Sequence, residues 1–326
     1  MKTQIVYTLI SSEKDYFLEE LWVSLYSFRQ FHPEATVNVL VDEPTKKYME
    51  RFPELCGMIT NIVVVPVPEN YNAKQRSRVI KTTVRNVIDG AYLFVDTDTV
   101  ICKPLDDIDS LTCDMAAVPD GHLPLSECMF PPTNSVNKIF KTDVSDSKYW
   151  FNSGVMFVAD NELTRKFYKR WNENWTCSCF EKGQSQDQPA LLATDKEFGY
   201  IISELPGIYN AQVAMSLKYF ADAAIVHWWH MSFIENQDYS PFFSLQIYKD
   251  VKTAKGLTAD IKELIMHCKQ SFVSPTMPVG KEHIYFLFSP AGKIFNRIYK
   301  EGGAASFLMN KCATVLEKIH KYTKKK

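Results

Sequence analysis

The sequence predicts an α/β fold, a mostly parallel β-sheet with helices on its faces, followed by a helical extension. Three observations carry this. Short apolar runs alternate with stretches of helical periodicity through the first hundred residues, the pattern of strand–helix–strand units. Two of the strand-like runs end at acids, Asp96 and Asp120, and open α/β sheets bind ligands at the carboxyl ends of their strands. After about residue 240 the character changes to helices and Pro-broken linkers.

The elements follow in order. "QIVYTLI" (4–10) reads as a first strand, and Leu18, Leu21, Trp22, Leu25 and Phe28 then repeat at helical spacing. "TVNVLVD" (36–42) and "NIVVVPVP" (61–68) read as the next two strands. A helix follows, with apolar positions at Val79/Ile80, Thr83/Val84 and Val87/Ile88, and then the strand "AYLFVD" (91–96). "CDMAAVPDGH" (113–122) is a short strand ending at Asp120. Residues 123–148, rich in Pro, Asn and Ser, read as loop. "FNSGVMFVAD" (151–160) is a strand opened by Asn152 and Gly154. Leu163, Phe167, Trp171 and Trp175 mark a helix. Another begins at "SQDQPALL", with Ser185 or Asp187 as its cap and Pro189 in its first turn. "AAIVHWWH" (223–230) is a strand ending in His227. Residues 1–240 are thus expected to form one catalytic-sized domain, with a first part over about 1–100 and a second over 101–240. Residues 241–326 form the extension.

Composition limits the function classes. The chain has 326 residues, 46% hydrophobic and 23% charged, with a formal net charge of −1. That is a globular balance with no sign of disorder or of a repeat array. The neutrality hides an asymmetry. Residues 281–326 carry ten Lys/Arg against three Glu, a net of +7, while the preceding 280 residues carry a net of −8. Eight cysteines are scattered, and only Cys177 and Cys179 are close, without a second pair to complete a zinc set. Reduced thiols in a cytosolic protein are the expectation. Residues 5–10 are too short for a signal peptide and are followed by Glu13, Lys14 and Asp15. No apolar stretch approaches the roughly 18 residues a membrane span needs. No nucleic-acid partner is expected.

The stretch "AYLFVDTDTV" holds the chemistry. Asp96 and Asp98 close an apolar strand with one residue between them, so in an extended chain both carboxylates point to one face and repel each other. Something positive belongs between them. Capping of neighbouring N–H groups is one use of such acids. A haloacid-dehalogenase-type phosphatase is another, with the first Asp as nucleophile. That family carries its motif on the first core strand and needs a later acidic pair for magnesium. Here a set of β/α units precedes the motif, and no such pair follows. A third use is the D-x-D of a metal-dependent glycosyltransferase, in which a divalent cation neutralises charge on the departing nucleoside diphosphate. Carboxylate oxygens with one imidazole suit Mn²⁺ or Mg²⁺.

Over about residues 3–230 the chain resembles glycosyltransferase family 8, the family of bacterial lipooligosaccharide galactosyltransferases and glycogenin, by six pieces in the family's order. "IVYTLIS" is similar to its first strand and implicates Thr8, or Leu9 beside it, at the base. "SRVIKTTVRNVIDGAYLFVDTDTV" implicates Arg78 at the donor and Asp96 and Asp98 at the metal. "AAVPDGH" offers Asp120 near the donor sugar. "FNSGVMFV" implicates Asn152 at the sugar and Gly154 for close approach. "QDQPAL" puts Asp187 on sugar hydroxyls and Gln188 near the anomeric carbon. "IVHWWH" resembles the strand that ends in the metal-binding His, here His227.

The resemblance implies a GT-A fold, which is Rossmann-like, and retention of configuration. It also implies a UDP-hexose donor (galactose or glucose) and an acceptor hydroxyl on a glycan or lipid-linked glycan. The sequence departs from the family after His227. The usual Gly and Lys positions hold His230 and Phe233, which makes His230 a rival ligand and leaves Lys81 or a C-terminal Lys to grip the diphosphate. An inverting transferase with Asp120 as base, and an inactive nucleotide-sugar-binding scaffold, are the alternative readings. The C-terminal segment adds a further expectation. Lys293, Arg297 and Lys300 share a helical face. Phe307/Leu308, Cys312, Val315/Leu316 and Ile319 form an apolar stripe beside Lys311, Lys318 and Lys321. This suits an anionic membrane surface, so a peripheral protein at the cytoplasmic face is expected.

Overall fold

The structure is a computed structural model that describes residues 1–128, 133–228, 241–270 and 286–323. The chain divides into two compact units, Met1–Pro275 and Thr276–Lys326. In the first, a seven-stranded sheet has the order β3-β2-β1-β4-β7-β6-β8. Its strands are β1 (Gln4–Leu9), β2 (Val37–Val41), β3 (Asn61–Val64), β4 (Tyr92–Val95), β6 (Met115–Pro119), β7 (Phe151–Val158) and β8 (Ile202–Glu204). Neighbours run parallel except for β7, which is antiparallel to both β4 and β6. A second sheet, β5-β10-β9, joins β5 (Thr99–Ile101), β10 (Ile225–His227) and β9 (Ala211–Gln212).

The strands read as unbroken apolar runs because both faces of the sheet are covered. Alternate residues enter two cores. Ile5, Tyr7, Val37, Val39, Leu93, Val95, Val155 and Phe157 pack with Leu18, Leu21, Trp22, Leu25 and Phe28 of helix α1 (Phe17–Phe31). On the other face Val6, Leu40, Tyr92, Phe94, Met156 and Val158 pack with Ile80 and Val84 of α4 (Ala73–Val87). The same core takes in Phe167, Trp171 and Trp175 of α6 (Glu162–Lys182). Two capping boxes start these helices, Asn72 with Gln75 and Asn161 with Thr164, so their boundaries are set locally. The short helices α2 (Glu43–Met49) and α3 (Pro53–Cys56) lie between α1 and α4, and α5 (Thr133–Phe140) lies between α4 and α6.

The predicted α/β class is borne out, and two local expectations are corrected. Residues 123–148 are not all loop, since α5 lies within them. Its Thr/Asn/Ser composition disguises a helix of which Val136 is the one buried residue, packed with Val144 and Leu192. The third strand stops at Val64, before Pro66, whose missing N–H cannot continue a ladder. Helices α7 (Gln188–Glu197), α8 (Gln246–Ala254) and α9 (Ala259–Met266) complete the first unit, with α8 and α9 against α1. The second unit contains α10 (Pro290–Glu301) and α11 (Gly303–Thr323). Among the described residues no helix is long and apolar enough to cross a membrane.

Candidate active site

The site forms where the large sheet hands the chain to the small one. Strand β4 ends at Val95, so Asp96 and Asp98 occupy a turn rather than one face of a continuous strand, which corrects the extended-chain expectation. Backbone bonds clamp the turn at both ends. Asp96 N–H donates to Gly154 O at 2.7 Å, and Trp228 N–H donates to Asp98 O at 2.9 Å. The first bond ties the turn to β7 and the second to the end of β10. Because β10 pairs with β5 with His227 opposite Thr99, the imidazole arrives beside the aspartates. His227 Nε2 is 3.1 Å from Asp98 Oδ1. One donor atom from each of Asp96, Asp98 and His227 lies within 4.8 Å of the others.

Gly154 is where the packing leaves no room. A Cβ there would meet His227 Cε1 at 2.4 Å, Asn152 Oδ1 at 2.8 Å and Asp96 Oδ2 at 3.0 Å. Glycine at this point is required by close approach, not by backbone conformation.

Helix α4 presents Arg78 and Lys81, one turn apart, to the same cluster. Lys81 is buried; its Nζ donates to Asp96 Oδ1 and Oδ2 at 3.0 and 3.2 Å and lies 3.8 Å from Asp187 Oδ2. Arg78 Nε lies 3.0 Å from Asp187 Oδ1. Asp187 sits at the start of α7, yet its side chain does not cap the helix as expected. It turns instead to Arg78, Lys81 and the Ser153 hydroxyl, which donates at 2.8 Å. Burial opposes its ionisation, but Arg78 and Lys81 prevail and hold the carboxyl down at about 2. It is a fixed negative charge.

Asp96 goes the other way. Burial pushes its carboxyl up and Asp98 adds to the push, with Lys81 opposing. Asp120 is also raised by burial, although it accepts from Asn152 Nδ2 at 2.9 Å and Gln188 Nε2 at 3.1 Å. Among the described residues, the carboxylates of the cluster (Asp96, Asp98, Asp120, Asp187) thus outnumber its cations (Arg78, Lys81). A divalent cation offsets that excess, and two carboxylates with one imidazole are donors a hard divalent ion accepts, so the residues present fit such an ion.

The structure gathers Arg78, Asp96, Asp98, Asp120, Asn152, Gly154, Asp187, Gln188 and His227 into one cluster. Thr8 lies near the end of β1, half-buried and opposite Leu40, and among the described residues no hydrogen bond joins its side chain to the others. Trp228 is fully buried and stacks on Phe242, a core residue. His230 and Phe233 lie outside the described residues. Three participants escaped sequence reasoning in these roles. Lys81 follows Arg78 by three residues, a spacing that puts both on one helix face. Ser153 lies inside the quoted "FNSG". Asn210, hydrogen-bonded to both His227 and Asn152, has no local signal.

No protein-family model matches the chain, and no curated protein matches it. Solved structures do, and the architecture they share with this chain is the GT-A glycosyltransferase fold. The galactosyltransferase LgtC, a family 8 enzyme solved with donor and acceptor sugar analogues, aligns with a TM-score of 0.50 at 16% identity. The alignment covers 85% of this chain and 98% of that one. The glycosyltransferase GlyE of Streptococcus pneumoniae TIGR4 aligns at 0.49 and 15%, over 86% of this chain and 68% of that one. Mouse xyloside xylosyltransferase 1 aligns at 0.46 and 11%, over 70% and 97%. The predicted GT-A class and the resemblance to family 8 are borne out, as a likeness of fold, by the alignment with LgtC.

Proposed function

We propose that this chain is a metal-dependent, retaining glycosyltransferase that moves galactose or glucose from a UDP-sugar to an acceptor hydroxyl. The observation that carries the reading is the cluster of Asp96, Asp98 and His227 ringed by Asp187, Gln188 and Asn152 at the carboxyl edge of a GT-A sheet. Mn²⁺ or Mg²⁺ held by Asp96, Asp98 and His227 would neutralise charge developing on the departing diphosphate. Arg78 and Lys81 add fixed positive charge beside it, in place of the family's missing Lys.

Asp187 and Asn152 orient the sugar, with Asp120 beside them. Gln188 lies against the anomeric centre, where its amide stabilises developing positive charge. Asp187, held near 2 by two cations and a hydroxyl, is a weak nucleophile. This favours front-face attack, with the departing phosphate oxygen taking the acceptor's proton. The protein's share is then positioning and electrostatic stabilisation. UDP release from UDP-galactose and UDP-glucose, with and without Mn²⁺, tests the reading. Metal-independent release would remove the metal, and no release from either donor would favour the inactive scaffold. NMR of the product settles stereochemistry; inversion would move the reaction to Asp120 as base.

The acceptor is proposed to be lipid-linked, reached from the cytoplasmic face of a membrane. In α10 and α11 the apolar Ile294, Phe307, Leu308, Val315 and Leu316 are exposed, at 56–65%. Lys293, Arg297, Lys311 and Lys318 are exposed as well. Apolar and cationic groups together favour anionic lipid, at about 1 kcal/mol per basic residue near the surface. Removing residues 293–326 should abolish sedimentation with anionic vesicles and spare donor hydrolysis. Equal sedimentation of both proteins would refute the membrane role.

A further inference from the structure

The amides around His227 can be oriented by counting donors. Gly154 N–H can only donate, and it does so to Asn152 Oδ1 at 2.9 Å. That fixes the Asn152 amide, whose Nδ2 then donates to Asp120 Oδ1 at 2.9 Å. Asn152 Oδ1 also lies 3.0 Å from Asn210, so Asn210 must turn Nδ2 toward it as the donor. Its Oδ1 is left facing His227 Nδ1 at 2.9 Å. An amide oxygen only accepts, so His227 Nδ1 must carry the proton. Asn210 is completely buried and His227 nearly so, which leaves water no part in the choice. One backbone N–H thus sets a ring tautomer through two amides.

We propose that Asn210 is a positioning residue: it holds His227 as the Nδ1–H tautomer, so that Nε2 keeps its lone pair toward Asp98 and serves as the ligand nitrogen. This rests on the metal reading given above. Histidines that bind metals commonly donate their second N–H to a fixed acceptor, and losing that acceptor costs roughly 10–100-fold in metal affinity. Without Asn210, the opposite tautomer would direct Nε2–H at Asp98 Oδ1, 3.1 Å away, and the ligand nitrogen would be blocked by its own proton.

Two measurements test the assignment. The first is ¹⁵N–¹H correlation of the imidazole nitrogens in the metal-free wild-type protein at about pH 8.5. Protonation at Nδ1 is expected, and a ring protonated at Nε2 alone would overturn the proposal. The second is Mn²⁺ affinity by EPR titration. Asn210→Leu should weaken binding roughly 10–100-fold. Asn210→Asp, which keeps an acceptor for Nδ1–H but turns an oxygen toward Asn152 Oδ1, should lose less affinity than Asn210→Leu. Unchanged affinity in Asn210→Leu, or equal losses in both variants, would overturn it. The tautomer measurement needs no variant, so poor folding of either one leaves the test standing. If the wild-type protein binds no Mn²⁺, the metal reading fails, and the tautomer still decides the role of Asn210.

Discussion

Adding one methyl group at Gly154 should separate folding from function. A Cβ there would lie 2.4 Å from His227 Cε1, whereas carbon–carbon contacts settle at about 3.5–4.0 Å, so something must move by about 1 Å. The backbone of β7 is held between β4 and β6, and Gly154 O accepts from Asp96 N at 2.7 Å. The imidazole is held at Nδ1 by Asn210, and its Nε2 lies beside Asp98 Oδ1. Overpacking of this kind costs about 1–3 kcal/mol, which a domain with about 5–15 kcal/mol of stability survives. Function has less margin. A displacement of about 1 Å in a reacting group costs on the order of 10²-fold in rate. Gly154→Ala should therefore unfold cooperatively in urea at somewhat lower concentration, yet lose Mn²⁺ binding and about two orders of magnitude of donor turnover. Gly256→Ala is the control, since its Cβ would make only ordinary contact, with Glu54 Oε2 at 3.4 Å. A folded Gly154→Ala protein with wild-type Mn²⁺ affinity and turnover would refute the argument that this glycine makes room for the ligand histidine.

Asp98→Asn should lower turnover by about two orders of magnitude or more with an unchanged urea midpoint, and wild-type rates for this variant in EDTA-treated buffer would reject the metal assignment. Gln188→Ala should lower kcat more than it raises donor KM, the pattern of an interaction made mainly in the transition state, whereas a pure KM effect would take Gln188 out of the chemistry. Asp195 is buried, and burial pushes its carboxyl up to about 7 although Ile202 N–H donates to it at 3.1 Å. With the folded value raised above the unfolded 3.8, its stabilising contribution is full below pH 3.8 and lost as pH rises through about 7. Asp195→Asn should therefore raise Tm at pH 8, by as much as about 4 kcal/mol in stability, with little effect at pH 4; a uniform shift at both pH values would contradict the burial argument.

Much of the cluster could be located from local patterns, because its residues sit at element boundaries that short-range rules govern. Asp96 follows a four-residue apolar strand, Asp187 and Gln188 open a helix with Pro189 in its first turn, and His227 closes β10. What those residues do with their side chains was less legible. Asp187 looked like a cap and is an ion-pair partner. Lys81 looked like a diphosphate ligand and is also the counter-charge to Asp96. In both cases the deciding partner is distant in sequence, and propensity and periodicity carry no information about it.

The sequence by itself determined the alternation of strands and helices, the two-sided apolar strands, and the order of acidic and amide residues along the chain. These follow from side-chain period and end-capping chemistry, which act over a few residues. Tertiary structure alone decided that β7 inserts antiparallel between β4 and β6, which sets Val155 opposite Val95 and lets Gly154 O receive Asp96 N–H. It alone decided that the small sheet brings His227 beside Asp98, and that Asn210, 58 residues from Asn152, completes the hydrogen-bond chain from Asn152 to His227. The physical reason is that strand order and register are chosen by the burial of whole faces and the satisfaction of every buried donor. Both are properties of the assembled sheets, and no window of the chain contains them.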